Sequence, residues 1–338
     1  MQRKVLSVSI AAYNVEKYIE KTVFSIVSQP EVLEAIEIII VNDGSKDSTS
    51  KIAHALEEKY PDTVVVVDKP NGGYGSTINA SLRIAKGMYY KLLDGDDWYE
   101  SKNLPDFIEY LKTNEADIVV SPYYEVYEGT NEIVLNDRHT DIPGKESLIE
   151  ELSLADILFA MHEIAIKTDT LRQLDKAITE KRFYTDAEFV AFCIIAAKTI
   201  SRFDKPVYCY RLGLEGQSVS LTGTRKHYKD LPVVAKKIFS SYEENQKELI
   251  GEKKTIVERI VLLIAYNTYR AYMLLEDPVS RRSELMDFDT SVKRITPEAY
   301  AISDGSSMIH FLRKFAFRPY RLLCLYTMKR FIKENKGK

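Results

Sequence analysis

Cysteine and histidine are too few and too scattered in this sequence to build a disulfide or metal framework. Its 338 residues include three cysteines, Cys193, Cys209 and Cys324, none of which forms a C-x-x-C pair. A small odd number of cysteines argues against a disulfide framework and a zinc ribbon, and it predicts a reducing compartment. The five histidines form no H-x-x-x-H pair. We therefore interpret His162 as an ordinary packed or cleft residue.

Long apolar runs and the common phosphate-binding signatures are missing as well. No stretch of about 18 apolar residues exists, and the apolar N-terminal stretch is too short for a signal peptide, so neither a spanning helix nor a leader is predicted. The absence of G-x-x-x-x-G-K-[ST] and of G-x-G-x-x-G after the first strand argues against a P-loop and a dinucleotide site. The 45% hydrophobic and 29% charged residues are typical of a globular protein. The length predicts two domains.

Strand-like and helix-like patterns alternate along the first third of the chain. Apolar runs at Val5–Ala12, Glu37–Val41, Thr63–Val67 and Met88–Leu93 are separated by segments with helical spacing of apolar side chains. Strands that are separated by helices imply βαβ units. The sequence therefore predicts an α/β fold with a mostly parallel sheet and flanking helices.

The pattern changes after Ser121. A hairpin is predicted from Tyr123–Glu128 to Glu132–Leu135, and a strand over Pro206–Leu212. Later residues are predicted to be helical, with loops over 287–307, where the periodicity is weak. We accordingly divide the chain into three regions: 1–122, 123–222 and 223–338.

The loop after the fourth strand carries the strongest chemical signal. It reads Asp94-Gly95-Asp96-Asp97, and loops at the carboxyl ends of parallel strands form the ligand-binding edge of a sheet. Crowded carboxylates repel one another unless a cation neutralises them, and oxygen ligands suit Mg²⁺ or Mn²⁺. Because such ions commonly share substrate phosphates, the loop indicates a nucleotide-diphosphate substrate. The alternative, a solvated turn that caps a helix, is disfavoured by the position at a strand end.

Other polar residues at strand and helix ends carry weaker signals. Asp43, after the second strand, is on its own typical of a turn. Arg211 and Ser218 are candidates to bind phosphate oxygens, although a surface salt bridge is the commoner role for an arginine. Asp186 is compatible with a helix N-cap as well as with a catalytic base.

Four segments, in chain order, resemble the family 2 glycosyltransferases, which have the Rossmann-like GT-A fold. The segments are SVSIAAYNVEKYIEKTVFSI, IEIIIVNDGSKDST, NGGYGSTINASLRIAKGMYYKLLDGDDW and FYTDAEF. A fifth segment, YRLGLEGQSVS, is similar to the late part of the same core and is less specific. The resemblance covers roughly residues 1–220 and implies a GT-A core followed by a helical C-terminal region.

The resemblance implies a role for each matching residue. Ala11 and Tyr13 would cradle the nucleotide, and Asp43 would accept a hydrogen bond from a uracil ring. Asp94 and Asp96 match the D-x-D pair that contacts ribose and metal. The residues assigned to nucleotide-sugar binding are Ala11, Tyr13, Asp43, Asp94, Gly95, Arg211 and Ser218, and those assigned to the metal are Asp94 and Asp96.

The catalytic base implied by the resemblance is Asp186, the second residue of the family's Glu-Asp motif. This sequence departs from the motif because Thr185 stands in place of the glutamate. Glu188, two residues further on, is the alternative base. On a helix the two carboxylates would point to different faces, so that only one can meet an acceptor.

These residues predict an inverting, metal-dependent glycosyltransferase of the hexosyltransferase type. A UDP-sugar would be the donor, Mg²⁺ or Mn²⁺ the cofactor, and a hydroxyl of a bacterial surface glycan, lipid-linked or not, the acceptor. Two alternatives stay open. The first is a sugar-phosphate nucleotidyltransferase. It is disfavoured, because that class usually carries a Gly-rich basic loop where this chain has AAYNVEKY. An inactive sugar-binding or partner-binding module remains an alternative because the glutamate before Asp186 is absent.

A basic tail ends the chain. Residues 311–338 contain nine Lys or Arg and one Glu, although the whole chain has a net charge of −3. Interleaved aromatic residues and the charge are typical of a helix that lies in a membrane interface, and the alternative is a terminal helix packed on the body. The predicted apolar face consists of Phe311, Phe315, Leu322, Leu323 and Tyr326. We expect a cytoplasmic protein that is peripheral at the inner face of the cell membrane, and no nucleic-acid partner.

Overall fold

The computed structural model describes residues 4–130, 132–154, 158–213 and 220–334. They form two compact units, the described residues of 4–213 with 251–253, and those of 220–250 with 254–334. The strands are β1 (Leu6–Ala12), β2 (Ile36–Asn42), β3 (Val64–Asp68), β4 (Tyr89–Asp94), β5 (Trp98–Tyr99), β6 (Ile118–Val120), β7 (Tyr123–Tyr127), β8 (Ile133–Asn136), β9 (Ser147–Leu148), β10 (Ile164–Lys167), β11 (Thr199–Arg202) and β12 (Tyr208–Leu212).

The helices flank the strands in the first unit and make up most of the second. Those before β12 are α1 (Ile19–Val27), α2 (Thr49–Lys59), α3 (Tyr74–Ile84), α4 (Leu104–Thr113), α5 (Thr168–Gln173) and α6 (Asp186–Ala196). Those after β12 are α7 (Leu221–His227), α8 (Leu231–Asn245), α9 (Gly251–Met273), α10 (Arg282–Ile295), α11 (Pro297–Ser303), α12 (Ser307–Lys314) and α13 (Tyr320–Glu334).

An eight-stranded sheet in the order β3-β2-β1-β4-β10-β6-β11-β9 organises the first unit. β1 pairs in parallel with β2 and β4, and β2 pairs in parallel with β3, which confirms the predicted α/β arrangement. β10 runs antiparallel to both β4 and β6, so the sheet is mixed beyond β4. A second sheet has the order β5-β12-β7-β8, and the antiparallel pairing of β7 with β8 confirms the predicted hairpin.

Burial of the central strands fixes where the site can form. All seven residues of β2 are buried, as expected for a parallel strand that is covered on both faces. On α1, Ile19, Val23 and Ile26 are fully buried at helical spacing and belong to the same hydrophobic core. Four parallel strands thus end at one edge of the sheet, and the loops there are free to carry polar residues.

The prediction of loops over 287–307 is wrong, because α10, α11 and the start of α12 occupy most of this segment. The inner face of α10 consists of Leu285, Phe288, Asp289 and Val292. A carboxylate within a buried face interrupts the apolar periodicity on which the prediction relied.

The tail forms α12 and α13. Ala316 and Phe317, between the two helices, have positive φ angles of 49° and 58°, so the helix does not continue through them. Four residues of the predicted apolar face are exposed (Phe311, Phe315, Leu322 and Tyr326), and Leu323 is half-buried. Among the described residues, no helix combines the length and the apolar character that crossing a membrane requires.

Candidate active site

The carboxyl ends of β1 and β4 meet at one edge of the large sheet. Ala11 is paired in register with Asp94, and the amide of Gly95 donates a hydrogen bond of 3.1 Å to the carbonyl of Ala11. A Cβ atom at Gly95 would lie 2.7 Å from that carbonyl oxygen, so the position requires glycine. The structure thus brings the predicted residues Ala11, Asp94 and Gly95 together, and Tyr13 lies exposed just beyond β1.

Asp43, at the end of β2, is buried and organises the loop before α3. Its Oδ1 accepts hydrogen bonds from Nζ of Lys69 at 2.6 Å and from the amide of Gly72 at 2.8 Å. Its Oδ2 accepts from the amide of Gly73 at 2.8 Å. Asp43 therefore shapes this loop, and its predicted contact with a uracil ring stays a prediction.

Asp97 joins the acidic loop to the second sheet. Its Oδ2 accepts a hydrogen bond from the hydroxyl of Tyr208 at 2.6 Å, and its Oδ1 accepts from the backbone amide of Arg211 at 2.7 Å. Both partners lie on β12, and Asp97 itself is buried. Since both carboxylate oxygens are engaged, Asp97 holds the loop in place.

Arg211 lies against the same loop. Its Nε donates to the carbonyl of Asp96 at 2.9 Å, and one terminal nitrogen donates to Glu128 at 2.7 Å. The guanidinium lies 4.8 Å from the ring centre of Tyr18 and 4.9 Å from that of Trp98. The expected salt bridge exists, but it is formed by a buried arginine that braces the loop. Ser218, the other predicted phosphate contact, lies outside the described residues.

Asp94 and Asp96 have the electrostatics of a cation site. Burial, followed by the charge of Asp96, raises the pKa of Asp94 to about 7. Burial also raises the pKa of Asp96. Oδ1 of Asp94 is buried and has no hydrogen-bond partner among the described residues. A buried anionic oxygen without a partner is costly, and a divalent cation would satisfy it.

A group of possible metal ligands includes a residue that sequence reasoning left out. Asp94, Asp97 and His162 each offer one ligand atom, and these atoms lie within 4.8 Å of one another. The residues present therefore fit Mg²⁺ or Mn²⁺, and Asp94 would be among the ligands. Asp96 is outside this group, and its assignment to the metal stays a prediction.

Lys91 lies beneath the site on β4. It is fully buried, and its Nζ donates to the carbonyl of His162 at 2.6 Å and to that of Ile164 at 3.4 Å. Burial lowers the pKa of Lys91 to about 7, against the opposing charge of Glu163. Burial, followed by the charge of Lys91, lowers the pKa of His162 to about 3. The sequence signal for this buried Lys91–His162 contact is a lysine within an apolar strand, because lysine is rarely buried unless it has a partner.

The two candidate bases differ sharply in environment. Asp186 is exposed at the first turn of α6, just after Tyr184, whose φ of 67° turns the chain sharply. Glu188 is fully buried, and its Oε2 accepts a hydrogen bond from the amide of Thr179 at 2.8 Å. After burial and the charge of Asp96, the charge of Asp186 also contributes to the raised pKa of Asp94. Asp186 is thus solvent-accessible and within electrostatic range of the acidic loop.

Comparison with known proteins agrees with this geometry. The minor teichoic acid biosynthesis protein GgaB of Bacillus subtilis is 32% identical over 219 residues, which are 64% of this chain and 24% of GgaB. The uncharacterized glycosyltransferase EpsJ of the same species is 27% identical over 220 residues, 61% of each chain. The chain therefore spans less than two thirds of the length of these relatives.

Solved structures show the same fold at low identity. Residues 1–349 of S. aureus TarS, solved in complex with UDP-GlcNAc, superpose with a TM-score of 0.71 at 18% identity, covering 99% of this chain and 93% of that one. The mannosyltransferase PcManGT of Pyrobaculum calidifontis, in complex with GDP-Man and Mn²⁺, gives 0.52 at 13% identity, covering 100% and 89%. The predicted GT-A fold with a helical C-terminal region is confirmed.

The family itself follows from the sequence match. Residues 7–183 match the family described as Glycosyl transferase family 2, which is more than half of the chain. The match contains the acidic loop and ends just before α6. The chain belongs to glycosyl transferase family 2.

Proposed function

We propose that this chain is an inverting, metal-dependent glycosyltransferase of the hexosyltransferase type, which transfers a sugar from a UDP-sugar to an acceptor hydroxyl of a bacterial surface glycan. The observation that carries the proposal is the acidic loop at the carboxyl end of β4, where Oδ1 of Asp94 is buried and has no hydrogen-bond partner among the described residues. Teichoic acid biosynthesis by GgaB and the UDP-GlcNAc complex of TarS support the substrate class.

The donor side of the proposal uses the carboxyl edge of the sheet. Ala11 and Tyr13 flank the nucleotide, and Asp43 accepts from the uracil ring. Asp94, with Asp96, holds Mg²⁺ or Mn²⁺. When bound, the cation offsets the negative charge that develops on the leaving diphosphate.

On the acceptor side, Asp186 removes the proton of the attacking hydroxyl. Attack from the face opposite the diphosphate forms the new glycosidic bond as the old one breaks, and a single displacement inverts the anomeric centre. A positioned carboxylate that takes up this proton in the transition state acts as a general base. In this division of labour, 1–122 binds the donor, 123–222 binds the acceptor, and 223–338 forms the helical C-terminal region.

Turnover and ligand binding test the proposal together. UDP-GlcNAc, UDP-glucose and GDP-mannose are each added with Mn²⁺, and the melting temperature and the release of nucleoside diphosphate are measured. We expect a UDP-sugar to stabilise the protein by ligand linkage and to be turned over, and GDP-mannose to do neither. Release should stop with EDTA and in Asp94→Asn.

The matched control is Asp62→Asn, since Asp62 is an exposed carboxylate before β3, at the opposite edge of the sheet. Unchanged turnover is expected for this variant. Turnover that survives both EDTA and Asp94→Asn would contradict the metal assignment. Binding of UDP-sugars without any turnover would favour an inactive binding module.

We further propose that the tail docks on an anionic membrane surface, where a lipid-linked acceptor would lie. On α13, Leu322, Leu325 and Tyr326 are 66%, 60% and 62% exposed beside basic residues. Exposed apolar side chains with Lys and Arg around them match the chemistry of an anionic bilayer surface.

Co-sedimentation with vesicles tests the docking. The wild type should pellet with phosphatidylglycerol-containing vesicles and less with pure phosphatidylcholine. The triple variant Leu322→Ser, Leu325→Ser, Tyr326→Ser should stay in the supernatant. Ile295→Ser, which removes an exposed apolar side chain from α10, is the control and should still pellet. Equal sedimentation of all three proteins would eliminate the membrane role.

A further inference from the structure

We infer that His162 supplies a nitrogen ligand to the divalent cation at the acidic loop, and that this ligand makes the site prefer Mn²⁺ over Mg²⁺. The inference rests on the proposed function, because the cation is part of it. Sequence reasoning places His162 among ordinary packed residues, and the resemblance assigns it no role.

Strand pairing brings His162 to the loop. β10 is antiparallel to β4, with Ala165 opposite Lys91. His162 lies in the 3-10 turn Met161–Glu163 that directly precedes β10. Nζ of Lys91, three residues before Asp94 on β4, donates to the carbonyl of His162 at 2.6 Å, so this turn lies beside the end of β4 that carries Asp94.

Both side chains carry buried polar atoms that lack a hydrogen-bond partner. Nδ1 and Nε2 of His162 and Oδ1 of Asp94 are buried and have no hydrogen-bond partner among the described residues. One ligand atom of His162 lies within 4.8 Å of one from Asp94. Buried polar atoms are nearly always paired, so atoms left without partners on both sides of a small gap indicate a missing ligand between them.

The surroundings hold the imidazole in place and leave its nitrogens available. The ring stacks on Tyr210 at 4.3 Å between centres, and it makes a T-shaped contact with Tyr208 at 4.7 Å between centres. The backbone carbonyl of His162 is fixed by the 2.6 Å bond from Lys91. A metal ligand that is pre-positioned in this way loses little freedom on binding.

Asp97 does not compete for the same role. Its two oxygens already accept hydrogen bonds from Tyr208 and from the amide of Arg211. One nitrogen of His162 therefore joins the carboxylate oxygens that the proposed function assigns to the cation, those of Asp94 among them. Imidazole is a poor ligand for Mg²⁺ and a good one for later divalent metals, so this nitrogen favours Mn²⁺.

Pulsed EPR of the full chain with Mn²⁺ and UDP tests the inference directly. Electron spin echo envelope modulation should show coupling to a ¹⁴N nucleus, and this signal should change to that of ¹⁵N when the protein is labelled with ¹⁵N-histidine. In His162→Gln the coupling should vanish, and Mn²⁺ should bind about 10–100-fold more weakly, with a much smaller change for Mg²⁺. His54→Gln, which removes a half-exposed histidine on α2, should keep the coupling and the affinity.

The outcomes separate the two proposals. If Mn²⁺ binds in an Asp94-dependent manner but wild-type protein shows no histidine coupling, the role of His162 is wrong while the proposed function stands. If Asp94→Asn leaves Mn²⁺ binding unchanged, both fail. The spectrum of the wild type decides the question even if His162→Gln does not fold, and circular dichroism of the variant checks its fold.

Discussion

Two carboxylates, buried Asp289 in one unit and half-buried Asp94 in the other, show opposite ways of accommodating a charge in this protein. In the C-terminal unit, Asp289 accepts a hydrogen bond from the hydroxyl of Tyr269 and another from Nε of Arg313 at 2.8 Å. Arg313 also donates to the carbonyl of Tyr300 and to the hydroxyl of Ser303. In the first unit, Asp94 keeps one buried oxygen without a partner among the described residues.

The contrast separates stability from function. Charges that are fully paired within the protein, as in the Asp289–Arg313 cluster, hold helices together and need nothing from outside. Asp94 instead bears a pKa of about 7, since burial and Asp96 both oppose its charge. Such unrelieved electrostatic cost is typical of sites where a ligand supplies the missing partner.

The largest effect on activity should come from Asp186. Within α6, accessible Asp186 and buried Glu188 repeat the contrast between a carboxylate that serves function and one that serves stability. Asp186→Asn should lower kcat by about 10²–10⁴-fold and leave the donor Kd nearly unchanged, because a general base acts only in the chemical step. Glu188→Gln should instead lower the free energy of unfolding, since buried Glu188 holds the amide of Thr179. Initial rates, calorimetric donor binding and urea denaturation measure these quantities. Full turnover in Asp186→Asn, with loss of turnover in a folded Glu188→Gln, would move the base to Glu188.

The paired cluster of the C-terminal unit should give the next largest effect. Arg313→Met leaves Asp289 charged and buried, and breaking such a pair costs about 3–5 kcal/mol of unfolding free energy. The double variant Arg313→Met, Asp289→Asn should recover part of this loss, because no buried charge is then left alone. Urea denaturation of the single and double variants measures both. A decrease in unfolding free energy below about 1 kcal/mol in the single variant would mean that this pair contributes no more than a weak surface ion pair.

Substitutions in the acidic loop should change the free energy of unfolding less, and Asp94 and Asp97 should change it in opposite directions. Without metal, Asp94→Asn should leave the unfolding free energy unchanged or raise it by about 1 kcal/mol, since it removes a desolvated charge. Asp97→Asn should lower it by about 1–3 kcal/mol, because Tyr208 and the amide of Arg211 lose a charged acceptor. Urea denaturation in EDTA compares the two. Equal destabilisation by both substitutions would mean that Asp94 is as well satisfied as Asp97.

Much of the first unit could be predicted because its signals are local. The uninterrupted apolar run of β2 indicates a strand buried on both faces, and residue order at the strand ends brings Asp43 and Asp94 to one edge. Those two positions follow from topology alone. In contrast, α10 could not be predicted, because Asp289 on its inner face interrupts the apolar pattern. The partner that makes this buried carboxylate acceptable, Arg313, lies 24 residues further along the chain, beyond the reach of a local pattern.

The remaining parts of the site depend on contacts that sequence spacing does not reveal. His162 reaches Asp94 only because β10 inserts antiparallel beside β4, some 70 positions later in the chain. The bond from the amide of Arg211 to Asp97 spans 114 positions. His162 stands in no motif, and the segment YRLGLEGQSVS that contains Arg211 is less specific, so the pattern could not separate a residue that braces the loop from one that contacts substrate.

A cluster of charged side chains on the surface, at the end of β3, should have the smallest effect on the free energy of unfolding. Unlike buried Asp289, its members are partly exposed to solvent. His54 contacts Asp68 at 2.6 Å and Glu57 at 3.0 Å, and these hydrogen bonds raise its pKa. Since the folded pKa exceeds the unfolded value of about 6.5, the stabilisation is complete below that pH and is lost as the pH rises through the folded value. His54 is 45% exposed, so screening limits the contribution to about 0.5 kcal/mol. The difference in unfolding free energy between wild type and His54→Gln should therefore be largest near pH 5.5 and disappear at alkaline pH. A difference that grows with pH would contradict the stabilisation of protonated His54 by Asp68 and Glu57.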